Sequence, residues 1–213
     1  MATATLRLGP VDHGRAMSLD DFLDTEADPA YRYELARGVL EVTNVPDDPH
    51  GELVCVLYCA LAAYRQVHPG IIHRFGGAGE FQLILPEMVS GRNPDVAVVL
   101  AGTPKDAQGR RPASFAIEVV SEGEDARERD YVTKRQEYHV YGLREYWIID
   151  LALRRVTILL RDGDAWIERV VASDQPAESV ALPGFNVSPV DLWTSDDDAA
   201  PPIDPGLPER EPI

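Results

Sequence analysis

Helical stretches alternate with strand-like runs along this chain, which predicts an α/β or α+β fold with a mixed β-sheet core flanked by helices. Three observations carry that expectation. Leu53, Val56, Leu57, Ala60, Leu61 and Tyr64 recur at helical spacing before a stop at Pro69-Gly70. The runs 94–100 and 114–120 are apolar enough to be strands buried on both faces. A polar, charged helix from about residue 125 to 141, closed by Gly142, then separates them from a further strand at 145–150.

In chain order, residues 1–17 read as a flexible N-terminus. Ser18 precedes Leu19-Asp20-Asp21-Phe22-Leu23, a serine N-cap with an acid three residues on, so a short helix begins there. Tyr31-Arg32-Tyr33-Glu34-Leu35 alternates, Arg37-Gly38 can turn, and Val39-Leu40-Glu41-Val42 continues a hairpin. The first long helix follows the break at 46–49 and opens near His50. Strands are expected at 71–75, 80–85, 94–100 and 114–120, and again at 145–150, 156–160 and 166–171. Prolines, acidic residues and the loss of periodicity mark 194–213 as a disordered tail, leaving 18–193 as one domain.

The chain has 213 residues and a formal net charge of −16, which argues against a protein that grips nucleic acid by charge neutralisation alone. The tail contributes Asp196, Asp197, Asp198, Asp204, Glu209 and Glu211 against Arg210, yet the body stays acidic without it. Arg110, Arg111, Arg127, Arg129 and Arg135 are candidates for a local positive rim. Cys55 and Cys59 stand beside the apolar stripe of the first long helix and read as small, buried or half-buried side chains, with no second pair to complete a zinc site. No stretch approaches a signal sequence or the ~20 apolar residues of a membrane span. A cytoplasmic protein is expected.

The chemistry centres on Lys134. Tyr131, Lys134, Tyr138 and Tyr141 are spaced by three, four and three, which places them on one helical face, and three aromatics direct that face inward. A lysine carried inward needs a partner. Asp95 shares strand parity with Ala97 and Val99, and Glu118 with Ala116 and Val120, so both acids stand on faces lined by small side chains that let a helix approach. Two carboxylates and a lysine at a sheet edge suit metal-dependent phosphodiester hydrolysis. Mg²⁺ or Mn²⁺ on Asp95 and Glu118 would polarise the phosphate, and Lys134 would orient water and offset developing charge. Asp130, four residues before Lys134, reads as its helical ion-pair partner.

Pro94-Asp95, Glu118-Val119-Val120-Ser121, Asp130 with Lys134 and Tyr138, and Tyr146-Trp147-Ile148-Ile149-Asp150 resemble the Uma-two family of "putative restriction endonucleases", a branch of the PD-(D/E)xK nuclease superfamily. Tyr33-Glu34-Leu35 with Gly38, and His50 before the long helix, match the same pattern, so the resemblance spans residues 18–192. It implies a restriction-endonuclease-like fold, DNA as substrate, and Glu34 as an acid in support of the metal. His50 by its own spacing reads as a helix-start residue. The superfamily's lysine two residues after the second acid is Val120 here, and the resemblance implies that Lys134 replaces it. The rival expectations are a catalytically inactive nuclease fold that binds a protein partner through its acidic surface, and a hydrolase of small phosphates or nucleotides. A homodimer is compatible with any of these.

Overall fold

The computed structural model describes residues 7–45 and 48–193. The expected tail at 194–213 and the first residues of the expected loose N-terminus lie outside the described residues. From Arg7 onward the N-terminus is not loose. β1 (Arg7–Leu8) pairs in parallel with β2 (Glu26–Ala27), Leu8 is buried, and its carbonyl accepts the Tyr33 hydroxyl. The Gly14 N–H then donates to Leu40 O, and Ala16 bridges Val39. Backbone hydrogen bonds hold this segment, and a reading of side-chain periodicity does not register them.

α1 (Leu19–Asp24) starts where the Ser18 hydroxyl accepts the Asp21 N–H at 3.1 Å. β3 (Tyr31–Ala36) and β4 (Val39–Asn44) form the expected hairpin, with Arg37 and Gly38 both at positive φ, the conformation that matches strand twist in a two-residue turn. α2 (Asp48–Val67) begins at Asp48 rather than His50. Pro49 sits in its first turn, where a missing N–H leaves no hydrogen bond unmade. Cys55 and Cys59 are exposed, not buried, because the helix turns Leu53, Leu57, Leu61 and Tyr64 to the protein instead.

β5 (Ile72–Gly76) leads to β6 (Leu83–Leu85) and β7 (Ser90–Arg92). β7 is absent from the sequence expectations. It completes a four-stranded sheet ordered β4-β3-β7-β6. β8 (Val96–Leu100), β9 (Phe115–Val120), β10 (Glu145–Asp150), β11 (Arg155–Asp162) and β12 (Ala165–Val171) make the main sheet, ordered β12-β11-β10-β9-β8-β5. β9 and β10 are parallel, and the other neighbours antiparallel. The architecture is the mixed sheet with flanking helices that the sequence predicts.

The crossover between β9 and β10 is one continuous helix in three parts: α3 (Glu124–Glu128), a π turn over Arg129–Thr133, and α4 (Lys134–Tyr141), ended by Gly142 in the left-handed conformation. α2 covers the sheet face that carries Val96, Val98, Ile117 and Val119. α4 and β6 cover the face that carries Ala97, Val99, Ala116 and Val120, the small side chains that admit close packing. β13 (Ala177–Glu178), β14 (Asn186–Val187) and α5 (Pro189–Trp193) complete the fold, α5 resting on α2. No described helix is long and apolar enough to cross a membrane.

Candidate active site

β8 begins and β9 ends at the same sheet edge, so antiparallel pairing alone brings Asp95 and Glu118 together. Both are buried. Asp95 Oδ2 accepts the Val119 N–H at 2.9 Å, its Oδ1 accepts Arg32 Nη1 at 2.8 Å, and His50 Nε2 stands 3.0 Å from the same oxygen. The backbone here is tightly seated. The Tyr58 hydroxyl donates to the Asp95 carbonyl at 3.0 Å, and a Cβ on Gly77 would lie 2.1 Å from that hydroxyl and 2.4 Å from the carbonyl oxygen.

Lys134 projects into the acids from α4, with Nζ 3.0 Å from Glu118 Oε2 and 3.4 Å from both Glu34 Oε2 and Asp130 Oδ1. The Tyr138 hydroxyl holds the other Glu118 oxygen. Glu34 is fixed through Oε1, which accepts the Asn93 N–H at 2.7 Å. Asp95, Glu118, Lys134 and Glu34 therefore share one place, and they line a cavity of about 490 Å³ with Arg32, His50 and Arg129.

The inward stripe differs from the sequence expectation. Ala126, Asp130, Lys134, Glu137 and Tyr138 are buried, while Tyr131 and Tyr141 pack only partly. The π turn adds a residue to the helical repeat, which carries Tyr131 aside and sets Asp130 and Lys134 inward together. Lys134 is thus enclosed by carboxylates rather than by tyrosines. Of the five rim arginines only Arg129 lines the cavity, since Arg127 pairs with Asp150, Arg135 with Glu168, and Arg110 with Asp106.

Burial raises the Glu118 carboxyl to about 8. Lys134 pulls it down, while Asp95, Asp130 and Glu34 add to the rise. Burial opposes ionisation of Asp95 too, but His50, Lys134 and the Val119 N–H outweigh it and hold that carboxyl well below its usual range. Burial works against the Lys134 charge, and Glu118, Glu34 and Asp130 overcome it, raising the ammonium above its ordinary value.

The family described as "Putative restriction endonuclease", Uma2, matches residues 19–191. The chain belongs to the Uma2 family. A solved structure, a "putative nuclease belonging to DUF820" from Anabaena variabilis ATCC 29413, aligns with a TM-score of 0.65 at 17% identity, covering 83% of this chain and 97% of its own. That likeness shows the fold. No curated protein matches significantly.

For a Uma2 protein the donor set bears on the metal question. Among the described residues no group of three His, Cys, Asp or Glu side chains stands in metal-binding geometry. Asp95 and Glu118 offer oxygen alone and both line the cavity, which suits a hard divalent cation held by one or two carboxylates and otherwise by water. Such donors fit a divalent cation that prefers oxygen.

Arg32, Arg92 and Tyr58 also stand at or next to the site, and none of them carries a motif of its own in the sequence. Arg32 shares strand parity with Glu34, so the alternation on β3 already points both side chains one way. Arg92 sits on the three-residue β7, too short to show a period.

Proposed function

We propose that this protein is a divalent-metal-dependent endonuclease that hydrolyses DNA phosphodiester bonds in the cavity above Lys134. One observation carries the reading: a buried ammonium within 3.4 Å of Glu118, Glu34 and Asp130, with Asp95 on the same cavity wall. Membership of the Uma2 family and the likeness to a nuclease fold support it.

Asp95 and Glu118 would hold Mg²⁺ or Mn²⁺, which supplies Lewis-acid polarisation of a phosphate oxygen and a more acidic water. Lys134 would orient an attacking water and stabilise the negative charge that builds on the phosphoryl oxygens, where an ammonium in a desolvated site acts most strongly. Glu34 and Asp130 hold the ammonium in place. The Tyr138 hydroxyl keeps one Glu118 oxygen turned away from Lys134, which separates the two partners of that carboxylate. Arg129, fixed on Asp130 at 3.1 Å, contributes positive charge to the wall of an otherwise acidic protein.

The test is Mn²⁺-dependent cleavage of plasmid and single-stranded DNA at low salt, where an acidic protein gains most from local arginines. Wild type is expected to cleave, and Asp95→Asn to lose cleavage. A second reading, a nuclease fold that binds a protein partner, draws on the net charge of −16 and on the protein donors already bound to both Asp95 oxygens. Absence of cleavage by wild type with every divalent cation would favour it.

A further inference from the structure

We propose that Arg32 is the phosphate-binding residue of this site, resting on Asp95 as a counter-cation until a divalent metal displaces it. The inference rests on the nuclease reading above and names a residue with which the site holds its substrate.

Three cations line the cavity, and their attachments differ. The Lys134 side chain is 4% exposed and stands within 3.4 Å of three carboxylates. Arg129 is 19% exposed and joined to Asp130 by two hydrogen bonds. Arg32 is 35% exposed and, among the described residues, makes a single hydrogen bond, from Nη1 to Asp95 Oδ1. It is the one cation of the three with both the freedom and the spare donors to meet a second anion. A guanidinium presents five donors in a planar fork suited to phosphate, and four of them are not spent on Asp95.

The position of that single bond gives the coupling. Asp95 Oδ2 is engaged by the Val119 N–H, which the main sheet fixes, and Oδ1 is shared by Arg32 and the buried His50, so the exchangeable partner is the half-exposed Arg32 at Oδ1. A divalent cation arriving at Oδ1 meets the Arg32 charge at contact distance and repels it. Arg32 is anchored on β3 and stays at the cavity wall after release, two residues from Glu34. The anion it would then pair with is a phosphodiester of the substrate. Metal entry and substrate capture are thereby linked through one side chain.

This predicts opposite signs in two binding measurements. Free Mn²⁺ is titrated by electron paramagnetic resonance against wild type, Arg32→Gln and Arg32→Lys without DNA. Duplex DNA affinity with Mn²⁺ is measured by fluorescence anisotropy in a Lys134→Met background, with and without Arg32→Gln. Removing the competing charge should tighten Mn²⁺ about tenfold, while Arg32→Lys, which keeps the charge, stays near wild type. Removing the fork should weaken duplex binding about tenfold or more. Unchanged or weaker Mn²⁺ binding by Arg32→Gln overturns the proposal, as does unchanged duplex affinity or a failure of every variant to bind Mn²⁺. Equal unfolding midpoints of Arg32→Gln and Arg32→Lys show that the difference between them is not misfolding. If wild type cleaves nothing while both binding shifts appear, the nuclease reading fails and the Arg32 assignment stands.

Discussion

Two buried cations in this protein are each surrounded by acids, and they sit in different kinds of enclosure. Arg92 is 0% exposed and contacts Glu34, Glu41 and Glu137, with Ser90 supplying a further hydrogen bond to Glu137. Lys134 contacts Glu34, Glu118 and Asp130. Glu34 belongs to both. The Arg92 cluster joins β3, β4, β7 and α4 and meets the cavity through Glu34 alone, with only Nη2 lacking a hydrogen-bond partner among the described residues. The Lys134 cluster forms the cavity wall, beside Asp95. The same inventory of one cation and three acids therefore holds elements together in one place and lines the cavity with its cation in the other. Access, rather than composition, separates structure from candidate chemistry.

The largest expected effect comes from opening the closed cluster. Arg92→Met leaves Glu137, itself 0% exposed, without its charge partner, and should lower stability by about 3–5 kcal/mol. Urea unfolding checks this, and a loss below about 1 kcal/mol would show that the cluster contributes little. Next is Lys134→Met, expected to reduce Mn²⁺-dependent cleavage by about a hundredfold or more, the scale for losing one oriented electrostatic contact. Its stability loss should be smaller than that of Arg92→Met, because Glu118 already favours its proton and can take one up. Cleavage undiminished by Lys134→Met would remove the lysine from the chemistry.

A more gradual effect lies in pH. Glu118 binds its proton more tightly in the folded protein than in the unfolded chain, with a carboxyl at about 8 against an ordinary 4.5. Its contribution is therefore complete below the ordinary value and is lost as pH rises to about 8, by at most about 1.4 kcal/mol per pH unit. Asp95, held low, acts in the opposite sense and loses its contribution on acidification. Thermal melts of the metal-free protein across pH 5–9 should show the alkaline decline, and Glu118→Gln should flatten it. The smallest effect is Glu41→Gln at the rim of the Arg92 cluster. Glu41 is 26% exposed, so the change should alter stability by less than about 1 kcal/mol.

Much of this could be read from the chain because strand parity and helical spacing are local. Asp95, Glu118 and Lys134 are found by asking which way each side chain points, and the Ser18 cap and the Arg37-Gly38 turn follow from residue chemistry within four positions. What could not be read depends on non-local pairing. β7 is fixed by its neighbours β3 and β6, so Arg92 has no signature of its own. Arg7–Leu8 is ordered by a two-residue parallel pairing with Glu26–Ala27. The inward tyrosine stripe fails for a different reason, since spacing rules assume an unbroken repeat and the π turn breaks it.

That turn makes the position of the candidate lysine depend on chain length. A lysine at position 120 would be phased by its strand, and its direction would survive any change in the following loop. Lys134 is instead phased by the helix that starts at Glu124, so an insertion or deletion of one residue between Glu124 and Thr133 rotates it by about 100° around the axis. The segment 124–133 should accordingly tolerate substitution at its exposed positions while holding its length constant, a constraint on gaps rather than on residue identity.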